Sequence, residues 1–273
     1  MAAPFHRLTA GTVGLALAGI FVVAPGIAAT SDPVSSIGGV APTCRGVAAT
    51  IVGTAGPDVI TGTPGPDVIV AGDGKDTING GGGSDRICGG DQGDTIRGGM
   101  AQDILIGQAG YDVIDGGPGN DGLDGGNHND VLVGGAGSDF MDGGPGIDTA
   151  DYSSAPAAIL ASGANLVQGW ASDLIFDIEN LIGSDFDDRL LGTSGPNKIG
   201  GGDGDDFIRG RPGQDALTGG AGHDDVRGGS GDDSLLGNSG NDSLRGESDT
   251  DTCNGGPGTD TAAVNCETIL GVP

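Results

Sequence analysis

A nine-residue period confines this chain to a narrow set of folds. Residues 53–151 divide without slippage into units of nine: GTAGPDVIT, GTPGPDVIV, AGDGKDTIN, GGGGSDRIC, GGDQGDTIR and six more. Aligned, the units carry Gly at position 1, usually Gly at 2 and 4, Asp at 6 and a large aliphatic residue at 8. The aspartate column is Asp58, Asp67, Asp76, Asp85, Asp94, Asp103, Asp112, Asp121, Asp130, Asp139 and Asp148. One unit cannot bury its aliphatic side chain alone, so such an array folds by stacking neighbours into a solenoid.

A second array occupies residues 183–263. Its column is Asp188, Asn197, Asp206, Asp215, Asp224, Asp233, Asp242, Asp251 and Asp260, with Asn197 the one replacement. Position 8 holds Leu190, Ile199, Ile208, Leu217, Val226, Leu235 and Leu244, and fades to Cys253 and Ala262. The first array fades likewise at Ala150, as expected of units with one stacked neighbour instead of two.

Composition matters because, without the period, it would point to disorder. The chain of 273 residues has 60 Gly, 3% aromatic residues and a formal net charge of -27, a profile too polar to bury a globular core. A disordered tail has no reason to keep Ile or Leu in one column, and the columns decide for an ordered array. Eleven Lys and Arg against 38 Asp and Glu exclude a nucleic-acid footprint and point to a multivalent cation.

The physical reading of the columns points to the same ligand. Gly at positions 1, 2 and 4 permits the positive φ angles and close backbone approach that let carbonyl oxygens turn inward. Asp at position 6 adds a carboxylate, and an all-oxygen set of irregular geometry suits calcium better than magnesium or zinc. Residues 7–9 make a short strand with position 8 inward and 7 and 9 outward. Nineteen column aspartates in neighbouring loops repel one another without metal, so binding energy is expected to act as folding energy.

The unit resembles the RTX nonapeptide GGxGxDxUx. That resemblance implies an all-β fold, a parallel β-roll (a right-handed β-solenoid) with 18 residues per coil and multiple Ca²⁺ ions between loops of adjacent coils. On that geometry the twenty column residues, Asn197 included, are the candidate metal ligands, with roughly 16 sites as an upper bound and affinities on the order of 10⁻⁴ to 10⁻³ M. Sites near Gln92, Ala101, His128, Phe186 and Asp249, which replace the position 4 Gly, are expected to be weaker. The stretch IENLIGSDFDDRLLG resembles the connector that separates RTX blocks.

Outside the arrays, residues 1–29 read as a cleavable secretory signal. His6 and Arg7 precede an apolar run over residues 8–24 and a small-residue exit ending at Ala28-Ala29. A membrane anchor is the competing reading, but the run is short and has no basic stop. The expected location is therefore extracellular. This departs from the many RTX proteins that leave by an uncleaved C-terminal signal. Residues 30–52 read as an N-terminal cap, 152–182 as a connector and 264–273 as a C-terminal cap. Within the connector, residues 152–173 form a 22-residue insert with Trp170 and a strand or hairpin, and Glu179 lies nine residues before Asp188, in frame with the second array. Four cysteines allow three connectivities; Cys44 with Cys88 and Cys253 with Cys266 would staple each cap to its array.

Catalytic motifs do not emerge. The sequence has no HExxH, GxSxG or P-loop lysine, no Cys/His zinc spacing and no EF-hand glutamate. His128 and His223 read as loop substitutions, and in-phase acidic pairs such as Asp205-Asp206 read as loop or ligand residues. The 22-residue insert is too short for a catalytic domain. The reading is a secreted, non-catalytic calcium-binding protein. The alternatives are a calcium-stiffened adhesion or matrix protein, favoured by an exposed aromatic patch at Tyr152 and Trp170, or an accessory to a polysaccharide-modifying enzyme.

Overall fold

The computed structural model describes residues 42–162, 166–168, 173–262, 266 and 268–270. The proposed signal, residues 30–41 of the leader and Trp170 lie outside them.

The arrays wind into one parallel β-solenoid. Within each array the in-register strand pairs between coils are offset by 18 residues, as in Ile69 with Ile87 and Leu105, or Ile208 with Val226 and Leu244. Two nine-residue units therefore complete one turn, and alternate units fall on opposite faces. One face is a continuous sheet of twelve described strands, from Val59–Thr61 to Thr268–Leu270. The opposite face is divided into two seven-stranded sheets: one runs from Ile51–Val52 to Leu174–Phe176, the other from Leu166–Gln168 and Leu160–Ser162 to Thr261–Ala262.

Alternation sets the core. In strands such as Val68–Asp73 the side chains of positions 8 and 1 are buried and the intervening ones are not, the period-two pattern of extended chain. Ile69, Ile87, Leu105, Leu123, Met141 and Ile175 form one inward ladder, and Leu190, Ile208, Val226 and Leu244 another, all fully buried. Each such aliphatic side chain contributes about 1.5–3 kcal/mol by leaving water, spread evenly along the stack instead of concentrated in a centre. Most strands of the two arrays are six residues long, not the expected three, because pairing continues into positions 1–3 of the next unit, as in Gly72 with Gly90 and Asp73 with Asp91.

The break between the arrays is healed in space. Leu160–Ser162 and Leu166–Gln168 form the expected hairpin, antiparallel to one another. The first of these strands pairs with Arg189–Leu191 and starts the second seven-stranded sheet. Leu174–Phe176 pairs with Phe140–Asp142 and ends the first. Asn180–Ile182 pairs with Thr149–Asp151 on one side and Lys198–Asp203 on the other, so the twelve-stranded sheet passes straight through.

Both disulfides of the sequence reading are present, Cys44–Cys88 and Cys253–Cys266. Cys253 sits in the inward ladder. Cys88 faces outward, and the hairpin of Thr43–Cys44 and Val47–Ala48 lies across the outer face of the first seven-stranded sheet, where Cys44, Cys88 and Ile106 are buried together against Val68 and Val70. An ion pair of Arg45 with Asp124 extends this strap sideways. The described part of the leader thus covers a flank of the stack. Among the described residues no helix is long and apolar enough to cross a membrane.

Candidate metal centre

Each column aspartate sits at the mouth of a strand, where the chain leaves the loop and turns inward. Nearly all are buried: Asp103, Asp148 and Asp251 are 0% exposed, Asp76, Asp94, Asp112, Asp130 and Asp242 1%. Asp58 in the first unit is only partly buried. Burial of so many carboxylates demands partners, and the stack provides one for each. Oδ1 accepts the backbone N–H of the column residue one coil earlier: Asp58 donates to Asp76, Asp76 to Asp94, Asp94 to Asp112, Asp112 to Asp130 and Asp130 to Asp148, all at 2.7–2.8 Å. The other edge runs from Asp67 through Asp85, Asp103 and Asp121 to Asp139. The second array repeats this through Asp188, Asp206, Asp224, Asp242 and Asp260, and through Asn197, Asp215, Asp233 and Asp251.

The second side-chain oxygen or amide nitrogen divides nineteen of the twenty residues into two sets. In Asp76, Asp85, Asp94, Asp103, Asp112, Asp121, Asp130, Asp139 and Asp148, Oδ2 is buried without a hydrogen-bond partner. The same holds for Asp206, Asp215, Asp224, Asp233, Asp242 and Asp260. In these open units position 2 is left-handed, even where it is not glycine: Gln108, Arg211 and Asn238 have φ of 82°, 80° and 75°. Position 4 behaves alike at Gln92, Ala101, His128 and Asp249, so the stack imposes the loop shape on side chains that disfavour it.

In the first two units of each array position 2 is Thr or Ser, and the loop closes on itself. The N–H of Thr54 donates to Asp58 Oδ2, that of Thr63 to Asp67 Oδ2 and that of Ser184 to Asp188 Oδ2, each at 2.6 Å. The Thr54 hydroxyl adds a bond of 3.0 Å to Asp58. At Asn197 the amide oxygen accepts from the Thr193 N–H, while Nδ2 donates to the Glu179 carbonyl and the Thr193 hydroxyl. Asn197 is therefore internally satisfied, with no charge for a cation.

Two acceptors that the column reading left out appear at the break. Asp173 Oδ1 accepts the Asp139 N–H at 2.8 Å, and its Oδ2 accepts the hydroxyl of Tyr152 at 3.2 Å, with both side chains buried. Glu179 Oε2 takes the Asp148 N–H at 2.8 Å. Glu179 was legible from its frame, nine residues before Asp188. Asp173 follows Asp139 by 34 residues instead of 18, and only its D-x-I pattern could have marked it.

Electrostatics follow from the burial. Desolvation pushes Asp94, Asp121, Asp130, Asp206 and Asp233 up to about 7, against the accepted backbone N–H, which lowers them; column neighbours push them further up. Asp103, Asp112, Asp148, Asp215 and Asp224 are raised to about 6, again chiefly by burial. A buried carboxylate with one oxygen bonded and one bare is costly when ionised. The Gly125 carbonyl and Asp112 Oδ2 both crowd the space where a side chain on Gly107 would start, so glycine at position 1 leaves room for a carbonyl beside the bare oxygen. Among the described residues no three His, Cys, Asp or Glu side chains cluster as a metal site, so any cation here would be held by few carboxylates and many carbonyls. Hard oxygen donors with one bare carboxylate oxygen per loop fit calcium and lack the imidazole or thiolate that zinc favours.

No curated protein matches the chain. The family model described as RTX calcium-binding nonapeptide repeat (4 copies) matches repeatedly, at residues 48–65, 52–87, 61–96, 97–132, 115–150, 182–217, 200–235 and 227–262. These matches span both arrays and well over half of the sequence, and they coincide with the coils whose aspartates form the ladders: the chain belongs to the RTX calcium-binding nonapeptide repeat family.

Proposed function

We propose that this protein is a secreted, non-catalytic binder of multiple calcium ions, and that its open loops are where they bind. The observation that carries the reading is the row of buried, partnerless Oδ2 atoms from Asp76 to Asp148 and again at Asp206, Asp215, Asp224, Asp233, Asp242 and Asp260. A divalent cation would supply the missing partner and cancel the repulsion along each column. Asp58, Asp67, Asp188 and Asn197 then act as seals that begin each array without an ion, and Asp173 with Tyr152 seals the end of the first seven-stranded sheet. Two disulfides and the apolar N-terminal segment support an oxidising, extracellular location. Tyr152 is buried and so contributes nothing to an exposed aromatic patch; Trp170 lies outside the described residues.

The test is far-ultraviolet circular dichroism of residues 30–273 during calcium titration, with magnesium as control. A coil-to-β transition driven by calcium and not magnesium is expected. A calcium-free chain already fully β at neutral pH, and unchanged by calcium, would overturn the folding-linked reading.

A further inference from the structure

The outer face of the second seven-stranded sheet concentrates positive charge on an acidic molecule. Arg209, Arg227 and Arg245 occupy the same register position on three neighbouring strands, about 4.8 Å apart. Arg189 projects from the next strand and lays its guanidinium 4.2 Å from the ring centroid of Phe207, which Arg227 approaches to 5.0 Å. Arg211 reaches along the same sheet to the Gly192 carbonyl and the Ser162 hydroxyl. These five arginines are nearly half of the eleven Lys and Arg in a chain of net charge -27.

Neither repeat nor fold asks for them. Along the second array the equivalent positions on the twelve-stranded face are Gly200, Thr218, Leu236 and Asn254, Arg97 in the first array stands between Asn79 and Asp115, and on the first seven-stranded sheet they include Val70, Cys88 and Ile106. Like charges side by side on neighbouring strands destabilise a sheet. Asp225 relieves Arg227, and Glu247 relieves Arg209; Arg245 has no ion pair among the described residues.

We propose that this face binds a linear acidic polysaccharide through its carboxylate or sulfate groups. Guanidinium forks pair with such groups through two parallel hydrogen bonds. The Phe207 ring holds two of the forks in place, which lowers the ordering cost of binding. A straight row on an open sheet suits an extended polymer carrying charge at intervals. A nucleic acid duplex needs a far broader basic footprint than five arginines on a molecule this acidic.

The test is affinity electrophoresis of the full mature chain in calcium, through gels containing dextran sulfate, polygalacturonate or neutral dextran. Retardation by one or both charged polymers and not by neutral dextran is expected, weakening with salt. The Arg209→Gln/Arg245→Gln double variant should lose about tenfold or more in affinity, with an unchanged circular dichroism spectrum. Equal retardation by neutral dextran, or undiminished retardation of the variant, would overturn the proposal. So would arginine-dependent self-association seen by sedimentation without polymer binding, because the face would then dock a second copy.

Discussion

Sealed and open loops stack on one another in adjacent coils, and position 2 is what separates them. In the unit of Asp67, Thr63 at position 2 turns its N–H onto the carboxylate. In the unit of Asp85, Gly81 at position 2 is left-handed and Oδ2 stays bare. Strand pairing, the inward isoleucine and a column N–H that donates to the Oδ1 one coil on are common to both. The contrast teaches that the solenoid and the cation site are separable: the ladder of Oδ1 bonds builds the stack, while position 2 decides whether a charge is left for a ligand. Sealed units stand where each array begins, and a tyrosine seals the far end of the first seven-stranded sheet.

The broadest way to strain the contrast is pH. Asp94, Asp103, Asp121 and Asp206, all open, have their ordinary value of 3.8 in the unfolded chain and are raised by burial to about 6 to 7 in the folded, calcium-free chain. A raised folded value contributes stability that is fully present below 3.8 and is lost as pH rises through about 6 to 7. Calcium-free protein should therefore gain β signal on acidification from pH 8 to 5, and calcium affinity should fall over the same window, both read by circular dichroism. A calcium-free signal that rises with pH would show that the open carboxylates are not the groups in control.

A single open loop can be converted next. In Asp121→Asn the amide oxygen keeps the bond from the Asp103 N–H, but the charge at the bare position is gone. Without calcium at neutral pH the variant should be more stable than the parent by about 1–3 kcal/mol, since a buried unpaired charge is removed. In calcium it should bind one ion fewer, counted by native mass spectrometry. An unchanged ion count would remove Asp121 from the ligands.

An effect of similar size but opposite sign is expected from opening a seal. Tyr152→Phe leaves Asp173 Oδ2 without its hydroxyl partner and should cost about 1–3 kcal/mol in urea unfolding without calcium. Added calcium should recover part of that loss, because the site would then resemble an open loop. Equal losses with and without calcium would mean that the tyrosine is a packing residue alone.

Much of this was readable in the chain. Stacking and the inward column follow from period and side-chain alternation, and the oxygen donors from positions 1–6, while the 18-residue coil came with the resemblance to the RTX unit; burial of the aspartates needed the structure. Other features were hidden because they depend on distance in space and not on phase. Asp173 completes a ladder from the far side of an insert, the twelve-stranded sheet passes through a break in register, and the leader straps a flank of the stack.

By itself the sequence determined that this chain stacks, because no nine-residue unit can bury its aliphatic side chain without a neighbour. It determined the donor chemistry as well, since glycine carbonyls and aspartates recur in phase. Only the tertiary structure decided which carboxylates keep a bare oxygen and which are closed by Thr54, Thr63, Ser184 or Tyr152. It also gathered Arg189, Arg209, Arg227 and Arg245 onto one face. The physical reason is the same in both cases. Periodicity fixes which residues are equivalent, but a hydrogen bond or a charged surface depends on what lies one coil away, and at the ends and the break that neighbour is not the repeat.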